Sequence, residues 1–376
     1  MTKRDKLTVK NTKVKSGDFI LVIMTLALVI FGIIMVFSAS YYYAMNKFGN
    51  PYHYLLRDIV WAVSGLVGML ICAALPYRFY YYVAPIAMGI MVLLLILVFS
   101  PLGVTRNNAT RWIGVGPITF MPGEFTKIAV ILFVAWFFSK KPERINSFTE
   151  GILPMVVLMG ICGGLIIKQP NLSTAITVCG IIVLMMFVAG MSWWYLGALA
   201  GLGAMGVLGI VFLAPESEWM KRITSFLDPF ADTLGEGYQV VQGLMAMGTG
   251  GLFGSGLGKS VQKNLYLPEP QNDFILSIIG EELGFIGIML LMIAYLILIW
   301  RGIHIAANAK DLFGTLVAAG ISIMVSLQVI MNIAVVTSSM PPTGVTLPFI
   351  SYGGNALCLF MGSMGILLNI SRHSVK

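Results

Sequence analysis

Ten apolar runs, most of them near the length of a membrane-crossing helix, follow one another along this chain: 19–38, 58–75, 80–100, 122–138, 151–167, 172–190, 193–213, 273–300, 312–337 and 345–369. A helix needs about 20 apolar residues to cross the hydrocarbon core, and in lipid only helices or closed barrels satisfy their own backbone polar groups. The runs predict an all-α, polytopic bundle of ten helices. Only 11% of the residues are charged and the mean hydropathy is +0.88, which excludes a soluble globular core. The chain reads as a single membrane domain, 1–376: a tail 1–18, helices one to seven over 19–213, a polar loop 214–272, helices eight to ten over 273–369, and a tail 370–376.

The distribution of bases sets the orientation. With ten crossings both tails share a side, and that side collects fourteen of the 24 Lys and Arg residues, six of them in the first tail. The short loops opposite hold five (Lys47, Arg57, Arg106, Arg111 and Lys168), the long loop holds four, and Lys127 lies within a run. The bias toward the tails predicts a multi-pass plasma-membrane protein with both termini cytoplasmic and the loop 214–272 outside. The net charge of +8 belongs to this topology, because the bases are dispersed, and no nucleic-acid partner is expected. Cys72, Cys162, Cys179 and Cys358 lie in or at runs without paired spacing, and the three histidines are far apart, so neither a disulfide framework nor a transition-metal centre is expected.

The long loop concentrates the chemistry. Ser217–Leu227 places Trp219, Ile223 and Phe226 at helical spacing and predicts an amphipathic interfacial helix. Gly237–Met247 is apolar enough to dip back into the protein. Six glycines within 248–258 end in GLGKS, but residue 253 is Phe where a phosphate-binding P-loop requires Gly, so that reading fails. The glycines either let the backbone approach something closely or simply make the loop flexible.

Asp273 stands at the mouth of the eighth run, after YLPEPQN, and a carboxylate at a membrane edge is a functional candidate. It could equally cap the helix that starts there. Arg111, Arg222, Lys259 and Lys263 could converge on it and accept an anionic substrate, or pair with Glu216, Glu218, Asp228, Asp232, Glu236 and Glu269. Glu124 and Lys127, at i,i+3 after Pro122, predict an internal ion pair, either purely structural or shaping the outer cavity. Glu281 and Glu282 read as structural, and Gln328 with Asn332 as hydrogen-bonding links between helices.

Three segments carry a family resemblance: RWIGVGPITFMPGEFTK at 111–127, ITSFLDPFAD with GEGYQVVQGLMAMGTGGLFGSGLGKSVQKNLYLPEPQNDFI across 223–275, and PPTGVTLPFISYGG at 341–354. In this order, on a ten-run background, the chain resembles the SEDS proteins of shape, elongation, division and sporulation, looking closest to the FtsW/SpoVE branch. Gly123, Asn171, Ser173, Ser338, Ser339, Pro342 and Asn355-Ala356 depart from the usual pattern, and none touches Asp273.

The resemblance implies a peptidoglycan glycosyltransferase that polymerises lipid II at the outer face of the membrane. It implies a class B penicillin-binding protein as transpeptidase partner, other division or elongation machinery, and a divalent cation, Mg or Mn, at the diphosphate. Asp273 falls on the family's essential aspartate and Trp112 on an essential outer-loop tryptophan. The expected set is thus Asp273 as general base, with Arg111, Trp112, Glu124, Lys127, Arg222, Lys259, Lys263 and Glu269 around the substrate. A lipid II flippase and a scaffold for the transpeptidase are the rival classes. A flippase needs polar residues along a full transmembrane path, and a scaffold has no need of Asp273.

Overall fold

The computed structural model describes residues 17–106, 109–115, 118–213, 218–231, 235 and 237–374. Most of the first tail, Glu216, Asp232, Glu236 and Lys376 lie outside the described residues, as do the side chains of Glu218, Trp219 and Lys221.

Twelve α-helices form in the described chain: α1 (Phe19–Phe48), α2 (His53–Ala74), α3 (Tyr77–Leu97), α4 (Pro122–Lys140), α5 (Leu153–Ile167), α6 (Leu172–Val188), α7 (Trp193–Leu213), α8 (Glu218–Leu227), α9 (Tyr238–Gly250), α10 (Ile275–Ala307), α11 (Leu312–Val336) and α12 (Gly354–Arg372). Among the described residues, eight helical segments are long and apolar enough to cross a membrane; α6, at 17 residues, is shorter. The apolar α7 fills the run 193–213. α8 is the amphipathic helix expected from 217–227, and α9 packs its Val240, Val241, Gly243 and Ala246 face toward α10.

Local chemistry sets the ends. Asp18 caps α1, its carboxylate accepting the Leu21 N–H at 3.0 Å, and Pro122 opens α4 at a position where its missing N–H costs nothing. α1 runs ten residues beyond the expected span, to Phe48. The expected helix 345–369 is corrected at its start: 341–353 is irregular, and α12 begins only at Gly354. Pro341, Pro342 and Pro348 cannot donate to a helical ladder, and Gly344 sits at φ 72°.

The described chain ends meet. The Asp18 N–H donates to Ser371 Oγ at 3.1 Å, and Arg301 Nε donates to the Asp18 carboxylate at 2.9 Å. Residues 18 and 371 therefore lie at the same end of the bundle.

A small antiparallel sheet, absent from the expected elements, lies between α3 and α4: β1 (Gly103–Arg106), β2 (Ala109–Val115) and β3 (Ile118–Phe120). Val104 pairs with Trp112 and Thr105 with Thr110, so Arg111 is an extra, bulged residue. A bulge breaks strict alternation and re-aims side chains, which lets the neighbours Arg111 and Trp112 line the same cavity.

α10 is broken at Gly284, where φ is 69° and ψ −170°. The glycine turn after α9 fills the break. Ser255 and Gly256 donate to the Glu281 and Glu282 carbonyls at 2.9 and 3.0 Å, while Phe285 and Ile286 donate to the Gly251 and Leu252 carbonyls at 2.9 and 3.2 Å. Backbone groups freed by the break thus find partners. A side chain on Gly284 would place its Cβ 2.3 Å from the Gly254 nitrogen, so glycine here serves close approach between two stretches of the same chain.

Candidate active site

A cavity of about 1210 Å³ opens between the sheet, the loop before α10, the irregular segment before α12, and the adjoining ends of α1, α2, α4, α6 and α11. Arg111, Trp112, Glu124, Glu269 and Asp273 line it, together with Lys47, Arg57, Asn171, Asn272 and Gln328.

Asp273 precedes α10 by two residues, and no side chain caps that helix. The capping role is therefore excluded, and the carboxylate is left to the cavity. Its Oδ2 lies 3.6 Å from the position a Cβ on Gly344 would take, so the left-handed glycine keeps the space beside the acid open. Asn332 fixes the backbone: its Nδ2 donates to the Asp273 carbonyl at 2.8 Å and to the Val345 carbonyl at 2.7 Å. The Tyr352 N–H donates to the Gln271 carbonyl at 2.9 Å, tying the segment before α12 to the same loop. Burial pushes the Asp273 carboxyl up to about 6; the Glu269 charge adds to the rise, while its own backbone N–H and Arg222 pull the other way.

Glu269 adopts a left-handed backbone, φ 42°, and is held at both oxygens, by the Tyr43 hydroxyl at 3.2 Å and by Asn272 Nδ2 at 2.8 Å. Arg111 donates from Nε to the Gln169 carbonyl at 3.2 Å and from Nη2 to the Pro170 carbonyl, which anchors the bulged strand to the α5–α6 turn. Burial, with Arg222 nearby, lowers its proton affinity. Arg222 bonds the Pro342 carbonyl at 3.0 Å and acts electrostatically on both Arg111 and Asp273 without lining the cavity.

The remaining expected residues are placed elsewhere. Lys127 has no solvent exposure and forms a 2.8 Å ion pair with Glu124 beneath the cavity wall, so it acts on the lining only through its partner. Lys263 does not reach the cavity; it is buried in a 2.7 Å pair with Glu282 and donates to Ser38 Oγ at 3.1 Å. Glu281 accepts the Val261 N–H at 2.7 Å and the Ser260 hydroxyl, so this acid pair fastens the loop to α10. Lys259 sits on the exposed glycine turn and does not line the cavity. The cations that do join Arg111 there are Lys47 and Arg57, whose signal was simply their place among the five bases of the short outer loops.

Apolar helices around a charged cavity, lined by a carboxylate and by several cations, define a polytopic membrane protein with a polar pocket at one end of its helices. Residues 19–376 match the model of the FtsW/RodA/SpoVE family, described as cell cycle proteins, and the chain belongs to this family. It is 44% identical over 364 residues to stage V sporulation protein E of Bacillus subtilis (strain 168), covering 96% of this chain and 99% of that one. It is 37% identical over 361 residues to a probable peptidoglycan glycosyltransferase FtsW of Geobacter sp. (strain M18), covering 96% and 98%.

Two solved structures share the fold. One is a chain from work on how a peptidoglycan synthase complex coordinates polymerization and crosslinking: TM-score 0.77, 27% identity, 95% of this chain and 98% of that one. The other is the rod shape determining protein RodA of Thermus thermophilus: TM-score 0.71, 27% identity, 96% and 98% covered.

Proposed function

We propose that this protein is a peptidoglycan glycosyltransferase that polymerises lipid II, with Asp273 as general base. The observation that carries the assignment of roles is the uncapped Asp273 carboxylate, facing a cavity whose other charges include Lys47, Arg57 and Arg111. The acceptor sugar hydroxyl gives its proton to Asp273 as its oxygen bonds to the donor's anomeric carbon. The bond from that carbon to the diphosphate oxygen breaks, and undecaprenyl diphosphate leaves with the electron pair, met by the cavity cations. An acid with its pKa near 6 is ionised at neutral pH yet a better proton acceptor than an ordinary aspartate.

Ten crossings with both termini cytoplasmic and the cavity outside complete the reading, supported by the meeting of Asp18 with Ser371 and by the charge bias. A class B penicillin-binding protein is the proposed partner, supported by the likeness to a chain of a synthase complex.

The implied divalent cation fits the cavity only jointly with substrate. Among the described residues no group of three His, Cys, Asp or Glu could hold a metal, and Glu124 is already neutralised by Lys127. Mg is commonly held by one or two carboxylates plus substrate phosphates, so Glu269 would hold it at the diphosphate. Bound there, Mg or Mn would neutralise charge on the leaving group.

The test is lipid II polymerisation by the purified protein with its cognate transpeptidase and Mn, comparing wild type with Asp273→Ala. Glycan chains from wild type alone are expected. Equal polymer from both would remove Asp273 from the mechanism, and none from either would return the flippase and scaffold readings.

A further inference from the structure

The turn that fills the break in α10 does more than satisfy backbone. It carries Leu252, Phe253 and Leu257 outward, with Phe253 79% exposed, and Val261 follows with its side chain also exposed. Such a cluster on a water-facing loop would be an aggregation liability. Its height along the bundle removes the anomaly.

Two rulers fix that height. Asp18, bonded to Arg301, marks the end of the bundle opposite the cavity. From there α1 rises to Ser38, a distance of about 30 Å at roughly 1.5 Å per residue, which is the thickness of the hydrocarbon core. Ser38 Oγ donates to both carboxylate oxygens of Glu282 at 2.8 Å, so Glu282 lies at the cavity-side edge of the core. Phe285 and Ile286 lie further along α10 toward the opposite end, about 5 Å deeper. Their N–H groups bind the Gly251 and Leu252 carbonyls, which sets the turn at the same depth. The second ruler is α10 itself. Below the break, Phe285, Ile286, Met289, Leu290 and Ile293 form an exposed apolar face, and the exposed Leu252 and Phe253 lie beside its upper end, where the Ile286 N–H donates to the Leu252 carbonyl.

We propose that the Leu252–Leu257 turn is a membrane-inserted wedge, its occupant the acyl chains of the cavity-side leaflet. The wedge extends the lipid-facing surface of α10 onto the loop. The next residues are tied to Glu281 and Glu282 through Ser260, Val261 and Lys263, and the chain then reaches Glu269 and Asp273. The loop carrying the candidate base is thereby pinned at headgroup height from below. The proposal rests on the membrane reading and is independent of the polymerase reading.

The full-length protein, in liposomes of defined phospholipid, would carry the photo-crosslinker p-benzoylphenylalanine at 253, at 257, or at 290 on the exposed face of α10. All three positions are exposed, so the replacement leaves the packed core intact. After irradiation, intact-mass spectrometry is expected to show phospholipid-mass adducts at 253 and 257, as at 290. Lipid adducts at 290 with none at 253 or 257 would overturn the proposal. So would adducts at 253 and 257 that, in the presence of the transpeptidase, consist of that protein in place of lipid.

Discussion

Replacing Asp273 by Asn should abolish polymerisation and at the same time strengthen the fold. Burial raises the carboxyl from an ordinary 3.8 to about 6, a change worth about 3 kcal/mol. The sign follows from linkage. A carboxyl whose folded pKa lies above its unfolded value favours the native state below pH 3.8, and that contribution is lost as pH rises through 6. At neutral pH the ionised Asp273 therefore costs the fold about 3 kcal/mol. Asparagine never ionises and escapes the cost.

Thermal unfolding in detergent with a chelator present, at pH 7.5 and at pH 5, measures it. Asp273→Asn should melt above wild type at pH 7.5, and the gap should shrink to about half in free energy at pH 5, where the wild-type carboxyl binds its proton in the folded state. A variant that melts below wild type, or a gap that does not change with pH, would refute the claim that desolvation dominates at this acid.

Other substitutions separate position from chemistry. Lys263→Met leaves Glu282 buried without its cation and should cost roughly 3–5 kcal/mol in thermal unfolding. Lys259→Met, on the exposed turn, should fall within roughly 0.5 kcal/mol of wild type. Gly284→Ala forces a side chain into a left-handed backbone and against the Gly254 nitrogen, and should cost at least roughly 1–3 kcal/mol of stability. Asn332→Leu frees the Asp273 and Val345 carbonyls from their donor. It should lower kcat by on the order of tenfold to a hundredfold through misplacement of the carboxylate, with KM for lipid II nearly unchanged, as read from steady-state polymerisation.

What the sequence made legible divides by the range of the forces involved. The apolar runs at 122–138, 172–190, 193–213 and 312–337 mark helices because burial in lipid requires continuous apolar surface, and each helix lies within two residues of its run. Segment 345–353 read as helix because its residues are apolar, yet Pro348 and the two neighbouring prolines of 341–342 withhold the donors a helix needs. The sheet at 103–120 escaped because strands of four, seven and three residues, interrupted by glycine, leave too short a pattern.

At the site, Asp273, Arg111, Trp112, Glu124 and Glu269 could be named from the sequence and do meet at one cavity. Lys263 could not be told from Lys259, since a charge count along a loop does not reveal that one folds under α10 and the other stays on the exposed surface. The bonds from Asn332 to Asp273 and Val345 depend on a helix and a loop separated by 59 residues in the first case. No local spacing encodes them.

The split at Gly284 also orders the assembly of the protein. Residues 285–307 form an apolar stretch whose only Lys, Arg, Asp or Glu is Arg301, in its last two turns. It can leave the translocon and enter lipid by itself. The turns above it carry Glu281 and Glu282, two carboxylates that an apolar segment entering lipid does not carry in unpaired. Glu282 gains its cation and Glu281 its hydroxyl donor only when Lys263 and Ser260, from a loop made earlier in synthesis, fold down onto them. Insertion and docking are thus separate events on one helix, and completion of the loop that holds the candidate base awaits the second.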